Sequence, residues 1–195
     1  MDQKIIEIQQ KLQHELDEER YQHTLGVMYT SAALAMRHCC DMEQALLAGL
    51  LHDCAKCIPN EEKIRICQTQ GIPVSDVERA NPSLLHAKLG AYLAKEQYQV
   101  TDSNVLNAIS SHTTGRPEMT LLEKIVYIAD YMEPGRRNLP NMEEVRFLAF
   151  QDIDACLLRI LKDSLVYLKT RKMPIDPMTE QTYIYYDQTL GKKEI

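Results

Sequence analysis

The stretch Leu50-Leu51-His52-Asp53-Cys54-Ala55-Lys56 sets an imidazole beside a carboxylate at the end of an apolar run that starts at Ala45. Such a run reads as the end of a buried helix. Buried polar groups need partners, and a metal ion is one of the best. Helix neighbours point about 100° apart, because a turn holds ~3.6 residues. His52 and Asp53 reach one ion only where the helix end lets the backbone tilt. The plainer role for both is hydrogen bonding to nearby backbone. Asp130 poses the same question, since it follows the nearly apolar Lys124-Ile125-Val126-Tyr127-Ile128-Ala129. An ionised Asp there needs a cation or several donors. A salt bridge to Arg136 or Arg137 would satisfy Asp130 alone, leaving His23, His52, Asp53, His86 and His112 unexplained.

The elements that must position these residues read as helices. Ile5, Ile6, Ile8, Leu12 and Leu16 suggest a short amphipathic helix. A longer one runs over Glu18–His38, with Arg20 and His23 three apart on one face. A third is expected over residues 42–54. Asn60 caps a fourth that ends at Gly71. Residues 71–82 form a loop with at most a turn of helix. Pro82 opens a helix with His86 one turn in, and Asp102 or Ser103 opens one that ends at Ser110-Ser111-His112-Thr113-Thr114-Gly115. Thr120 caps the helix that carries Asp130 and stops at Glu133-Pro134-Gly135-Arg136. Asn141 and Asp152 open two more. Residues 173–179 hold two prolines and read as a loop. Tyr183, Tyr185 and Tyr186 in the tail show strand-like alternation. His14 and His38 lie on polar stretches and read as surface.

Composition agrees with an all-α chain. Its 195 residues include seven Gly, two Phe and no Trp, which argues against a sheet-rich fold. The expected organisation is a single helical domain over residues 1–172, with residues 173–195 a short irregular tail packing on it. A net charge of -6 disfavours sequence-independent nucleic-acid binding. It leaves room for a nucleotide held by a few local cations. Residues 1–13 lack a signal-peptide pattern, and no apolar run reaches the ~18 residues of a membrane helix. The six cysteines are therefore expected to be reduced thiols in a cytoplasm. Cys54 and Cys57 make one C-x-x-C pair, but no second pair and no βαβ pattern supports a zinc knuckle or a redox site.

The order His23 … His52-Asp53 … Asp130 resembles the HD superfamily of metal-dependent phosphohydrolases. The resemblance implies that these four residues bind the metal. Within that superfamily, five segments look like the bacterial YqeK-like family. They are Glu19-Arg20-Tyr21-Gln22-His23, Leu50 to Lys56, Leu85-His86-Ala87, Ser111-His112-Thr113-Thr114-Gly115 and Ile128-Ala129-Asp130-Tyr131-Met132-Glu133-Pro134-Gly135-Arg136. That family hydrolyses diadenosine tetraphosphate symmetrically to two ADP. The similarity spans residues 18–175. It implies an all-helical HD domain in which Asp53, Lys56, His86 and His112 serve catalysis. Arg20, Lys56, His86, His112, Thr113, Asp130 and Arg136 would meet the substrate. The loop residues Met173, Pro174, Ile175 and Asp176 would lie against adenine and ribose.

The chemistry explains these residue types. Water is a poor nucleophile towards a phosphoanhydride, and a divalent metal lowers the pKa of bound water from 15.7 towards ~7. Two imidazoles and two carboxylates favour iron, with manganese the next fit. One ion is expected. His86 and His112 leave three roles open: ligands of a second ion, phosphate contacts, or hydrogen-bonded core residues. The developing charge calls for cations, and Lys56, Arg20 and Arg136 are the candidates. The expected partners are the dinucleotide and its ADP product, with no nucleic acid and no membrane, and with a homodimer left open. Another HD phosphohydrolase, acting on a nucleoside triphosphate or a cyclic nucleotide, is the alternative enzyme. A nucleotide-sensing module with little turnover is the alternative outside enzymes. The intact H…HD…D frame argues against the sensor.

Overall fold

The structure is a computed structural model that describes residues 2–136, 139 and 141–190. Its ordered elements are α1 (Gln3–Glu15), α2 (Glu18–His38), α3 (Met42–Leu51), α4 (Asn60–Thr69), α5 (Asp76–Ala80), a 3-10 turn over Pro82–Leu85, α6 (His86–Glu96), α7 (Ser103–Ser111), α8 (Leu121–Met132), α9 (Met142–Ala149), α10 (Ile153–Thr170) and α11 (Pro177–Leu190). The all-α expectation holds, with no strand among the described residues. No described helix is long and apolar enough to cross a membrane.

Local chemistry accounts for the helix starts. Asp17, Asp41 and Asp102 side chains accept from Arg20, Gln44 and Asn104 backbone N–H groups at the starts of α2, α3 and α7. Thr120 and Glu123 form a capping box at α8. Asn60 proves to be the first residue of α4 and not its cap. That place falls to Pro59, which makes no side-chain cap bond.

One apolar core extends from Ile5 on α1 to Tyr186 on α11. At its centre α3 lies across α2, and the contact needs Gly49. A Cβ there would sit 2.9 Å from the Met28 Cα and 2.9 Å from the Ser31 hydroxyl. The helices could not approach so closely around a side chain without overpacking. α8 packs against α2 and α3 on the other side, burying Ile125, Val126, Ile128 and Ala129 completely. Each fully buried Ile or Val contributes about 1.5–3 kcal/mol of transfer free energy. These contacts bring the start of α2 and the ends of α3, α7 and α8 to one place.

The structure corrects two further expectations. α3 ends at Leu51, short of Cys54. Beyond it, Cys54 N–H donates to the Leu51 carbonyl and Lys56 N–H to the Asp53 carbonyl, in successive tight turns. The tail is also helical through residue 190, where an irregular or strand-like segment was expected. Its buried side chains are Thr179, Thr182 and Tyr186. This is helical spacing carried largely by polar residues, so an apolar pattern search passes over it. Tyr183 and Tyr185 are half-buried and pack against the edge of the core on either side of the exposed Ile184. Asp176 starts the helix, its carboxylate accepting from Met178 N–H at 2.8 Å. Residues 191–195 lie outside the described residues.

The Tyr186 hydroxyl accepts from the buried Met119 N–H at 2.8 Å and ties α11 to the loop before α8. Tyr186→Phe should therefore destabilise the protein by about 1–3 kcal/mol, the cost of an unpaired buried donor. Urea unfolding reads this directly. No change in the midpoint would mean that α11 does not depend on this tie.

Candidate metal centre

Four imidazoles converge on two carboxylates. Three of the histidines sit where a helix or 3-10 turn ends, and each ring reaches back to a carbonyl of the last turn. His52 Nδ1–H donates to the Gly49 carbonyl at 2.7 Å, His86 to Ser83 at 2.6 Å and His112 to Ile109 at 2.7 Å. Each bond reaches back three residues. Each fixes the tautomer and aims Nε2 inward, as an outer partner does for a metal-binding histidine. His23, on α2, faces Glu133 instead, with Nδ1 3.1 Å from the Glu133 Oε1.

Asp53 lies at the centre and is 2 % exposed. Its Oδ1 is 3.2 Å from His86 Nε2, 3.6 Å from His112 Nε2 and 3.7 Å from Lys56 Nζ. Its Oδ2 accepts from Arg20 at 2.8 Å and lies 3.5 Å from His52 Nε2 and 4.0 Å from His23 Nε2. Asp130 reaches in from α8, with Oδ1 3.0 Å from His23 Nε2 and 3.8 Å from His52 Nε2. Arg136 donates to the same Asp130 oxygen at 2.8 Å. The Arg136 ion pair considered from sequence therefore exists alongside the histidines. Arg137 lies outside the described residues.

The electrostatics are those of a site built for a cation. Burial pushes His52 down to about 4, outweighing the nearby Asp53 and Asp130, so its ring is neutral with a bare Nε2. Burial also lowers His86, against the pull of Asp53. Burial works to raise both carboxyls. For Asp53 it is overcome by His52, His112, His86 and Lys56, and for Asp130 by the adjacent His23 with His52 and His112 behind it. Both stay ionised. Five buried side-chain atoms among the described residues lack a hydrogen-bond partner, and three of them are His23 Nε2, His52 Nε2 and Asp53 Oδ1. Orphaned acceptors gathered at one point are costly unless a cation joins them. His23, His52 and Asp130 are spaced to share an ion, as are His52, Asp53 and His112. The residues present fit a divalent metal.

Lys56, His86, His112 and Thr113 form a second cluster beside the first. Lys56 Nζ is 3.1 Å from His86 Nε2, the two Nε2 atoms are 3.1 Å apart, and Thr113 Oγ1 is 3.2 Å and 3.1 Å from them. With both Nδ1–H groups tied to carbonyls, the facing Nε2 atoms share a hydrogen bond only when one is protonated. An apolar pocket of about 410 Å³ opens beside Thr113, lined by Tyr127, Tyr131, Tyr167, Met173, Pro174 and Asp176 among others. Ile175 is half-buried outside that lining.

Two further residues escaped the sequence reading. Glu133 was read only as the helix stop, yet it is buried and orients His23. Its sequence trace is two glycines, Gly26 and Gly135, where a Cβ would fall 2.5 Å and 2.9 Å from Glu133 Oε2. Lys63, also buried, donates to the Lys56 carbonyl at 3.1 Å and to Asn60 Oδ1 at 3.2 Å, bracing the turn that carries Lys56. Cys54 and Cys57 turn to different partners, Gly90 and Asp17, and are free thiols. His38 meets the Ala149 carbonyl at 2.6 Å, so it is more than a surface residue.

Fold and centre together define a helical metal-dependent hydrolase of the HD type. Residues 20–135 match the HD domain family, and the chain belongs to it. The family carries a divalent metal. A more particular likeness is to the symmetrical bis(5'-nucleosyl)-tetraphosphatase of Bacillus subtilis, 42% identical over 88% of this chain and 91% of that protein. The same-named enzyme of Halalkalibacterium halodurans is 40% identical over 86% and 89% of the two chains. A crystal structure titled as a predicted HD superfamily hydrolase involved in NAD metabolism, from Clostridium acetobutylicum, superposes with a TM-score of 0.90 at 41% identity, covering 94% of this chain and 96% of that one.

Asp53→Ala should abolish stoichiometric metal, read by elemental analysis of the purified protein. Glu133→Ala should weaken metal binding about 10–100-fold, the usual cost of losing a partner that orients a ligand, with Glu133→Gln losing less. Full metal content in Asp53→Ala would remove this carboxylate from the ligand set.

Proposed function

We propose that this protein hydrolyses diadenosine tetraphosphate symmetrically to two ADP. What carries the reading is the convergence of four Nε2 atoms and two carboxylates beside Lys56, Arg20 and Arg136, in a chain 42% identical to a symmetrical tetraphosphatase. In this reading His23, His52, Asp53 and Asp130 hold the metal. The imidazole and carboxylate donors suit iron, with manganese next. The ion supplies water activation near neutral pH and neutralises phosphoryl charge.

The chain's own groups do the rest. Lys56, His86, His112 and Thr113 grip the phosphates of one ADP half. Arg20 and Arg136 offset charge at the neighbouring phosphates. The 410 Å³ pocket takes the adenosine of the gripped half: Tyr127, Tyr131 and Met173 supply apolar surface, and Asp163 and Ser164 supply polar edges. Water adds to the second phosphorus from that adenosine, the bridging P–O bond beyond it breaks, and the other ADP leaves. Its charged leaving oxygen needs little protonation, which agrees with the lack of an obvious general acid outside the histidines among the described residues. Six free thiols support a reducing cytoplasm as the place of work.

Metal-loaded protein should convert diadenosine tetraphosphate to ADP alone. In heavy-oxygen water, one label per turnover should appear on the terminal phosphate of one ADP. ATP and AMP as the main chromatographic products would refute symmetric cleavage. Replacing Met173 and Pro174 together with Ala should raise KM severalfold while metal content stays whole, because both line the pocket and neither is a ligand. An unchanged KM would separate this loop from the base.

A further inference from the structure

The Asp53 carboxylate divides the centre into two unlike sides. Oδ1 faces Lys56, His86 and His112, whereas Oδ2 faces Arg20, His23 and His52. Three large cavities border the site, and they sort by side. The 410 Å³ pocket and a neighbouring one of about 610 Å³ share Leu84, Thr113, Thr114 and Asp176, so both open on the Oδ1 side. The largest, about 750 Å³, opens on the Oδ2 side between the first three turns of α2 and the Glu133–Arg136 connection. Arg20, His23, Arg136 and Tyr29 are among the residues that line it, with the carboxylates of Glu19 and Glu133.

We infer that this cleft is the binding site for the departing nucleotide half, with Arg20 and Arg136 on its phosphates and the Tyr29 ring against its purine. The inference rests on the proposed symmetric cleavage. A substrate with two equal halves, cut at its middle, must lay one half on each side of the centre. The 610 Å³ cavity is a poor second seat. It lies on the side already taken, and Arg116 gives all three of its nitrogens to Glu123 and the Pro117 carbonyl, while Lys88 is shared between Glu78 and the Pro73 carbonyl. The 750 Å³ cleft has what a nucleoside diphosphate needs. Arg20 and Arg136 are 28 % and 39 % exposed, and each keeps guanidinium donors beyond those given to Asp53 and Asp130. Tyr29 is 54 % exposed, an aromatic face open to solvent. Stacking on such a ring accepts any base, since every base has a π face. The cleft is thus selective for a second nucleotide as such, and the apolar pocket opposite discriminates the first.

The test compares diadenosine tetraphosphate with adenosine 5'-tetraphosphate, which carries the same phosphates and lacks the second adenosine. In the unaltered protein, KM for the dinucleotide should lie about tenfold below the inhibition constant of the mononucleotide, the usual worth of one stacked base. Tyr29→Ala should raise KM for the dinucleotide about tenfold and leave the mononucleotide's inhibition constant unchanged. Tyr29→Phe, which keeps the ring, should behave as the unaltered protein. Equal affinity for the two ligands before any substitution would overturn the inference, as would a Tyr29→Ala effect that is absent or equal on both. Failure of the unaltered protein to make two ADP would instead strike at the proposed reaction.

Discussion

Everything around the centre answers to one electrostatic constraint: two ionised carboxylates and four imidazole Nε2 atoms share a largely buried space with too few protons to join them. Asp53 and the rings of His52, His86 and His112 are nearly inaccessible to solvent. Water cannot compensate them there, and bare acceptors that face one another cost free energy unless a cation comes between. The surrounding structure holds the acceptors in place against that cost. Glu133 holds His23, the tight turns after α3 hold Asp53, and the helix ends hold the remaining rings.

Helix termini carry most of this burden. The last carbonyls of a helix have no partner within it, and a histidine placed at the end can use one three residues back. Here that local bond does two jobs, capping a helix and fixing which ring nitrogen is bare. Precision at the centre is therefore set by helix packing, not by loops. Gly49 shows the coupling most directly. Its missing side chain lets α3 rest on α2, which brings the His23 and His52 rings to 5.3 Å between centroids. Its carbonyl also anchors the His52 ring.

The cations are arranged less symmetrically than the ligands. Lys56, Arg20 and Arg136 each touch the centre and remain partly exposed. They are buried enough to feel the carboxylates at low dielectric and open enough to meet a charged ligand. Lys63 stays out of the centre and stabilises the backbone beneath Lys56. Arg146 does the same for the connection after α8, donating to the Met132 and Glu133 carbonyls at 3.1 Å and 3.0 Å.

Much of this was legible in the sequence, because much of it is local. Caps such as Asp102, Thr120 and Asp152 announce helices through bonds to backbone two or three residues away, and the apolar run before His52 declares burial by itself. A carboxylate and an imidazole at the end of such a run raise the question of a metal before any fold is known. The order of His23, His52, Asp53 and Asp130 was also visible, and the structure brings the four together. What stayed hidden depended on contacts distant in sequence. Glu133 pairs with His23 across 110 positions, and no spacing rule covers such a gap. The α11 helix buries Thr179 and Thr182, whose polarity conceals a helical stripe until another helix is there to cover it. The division of the centre by Asp53 is likewise a matter of which oxygen faces which element. The sequence by itself determined the residue types, the helix ends and the candidate ligands, since side chains and their near neighbours encode those. Only the tertiary structure decided orientation, the Glu133 contact that holds His23 and the two-sided cavity, since these arise from long-range packing.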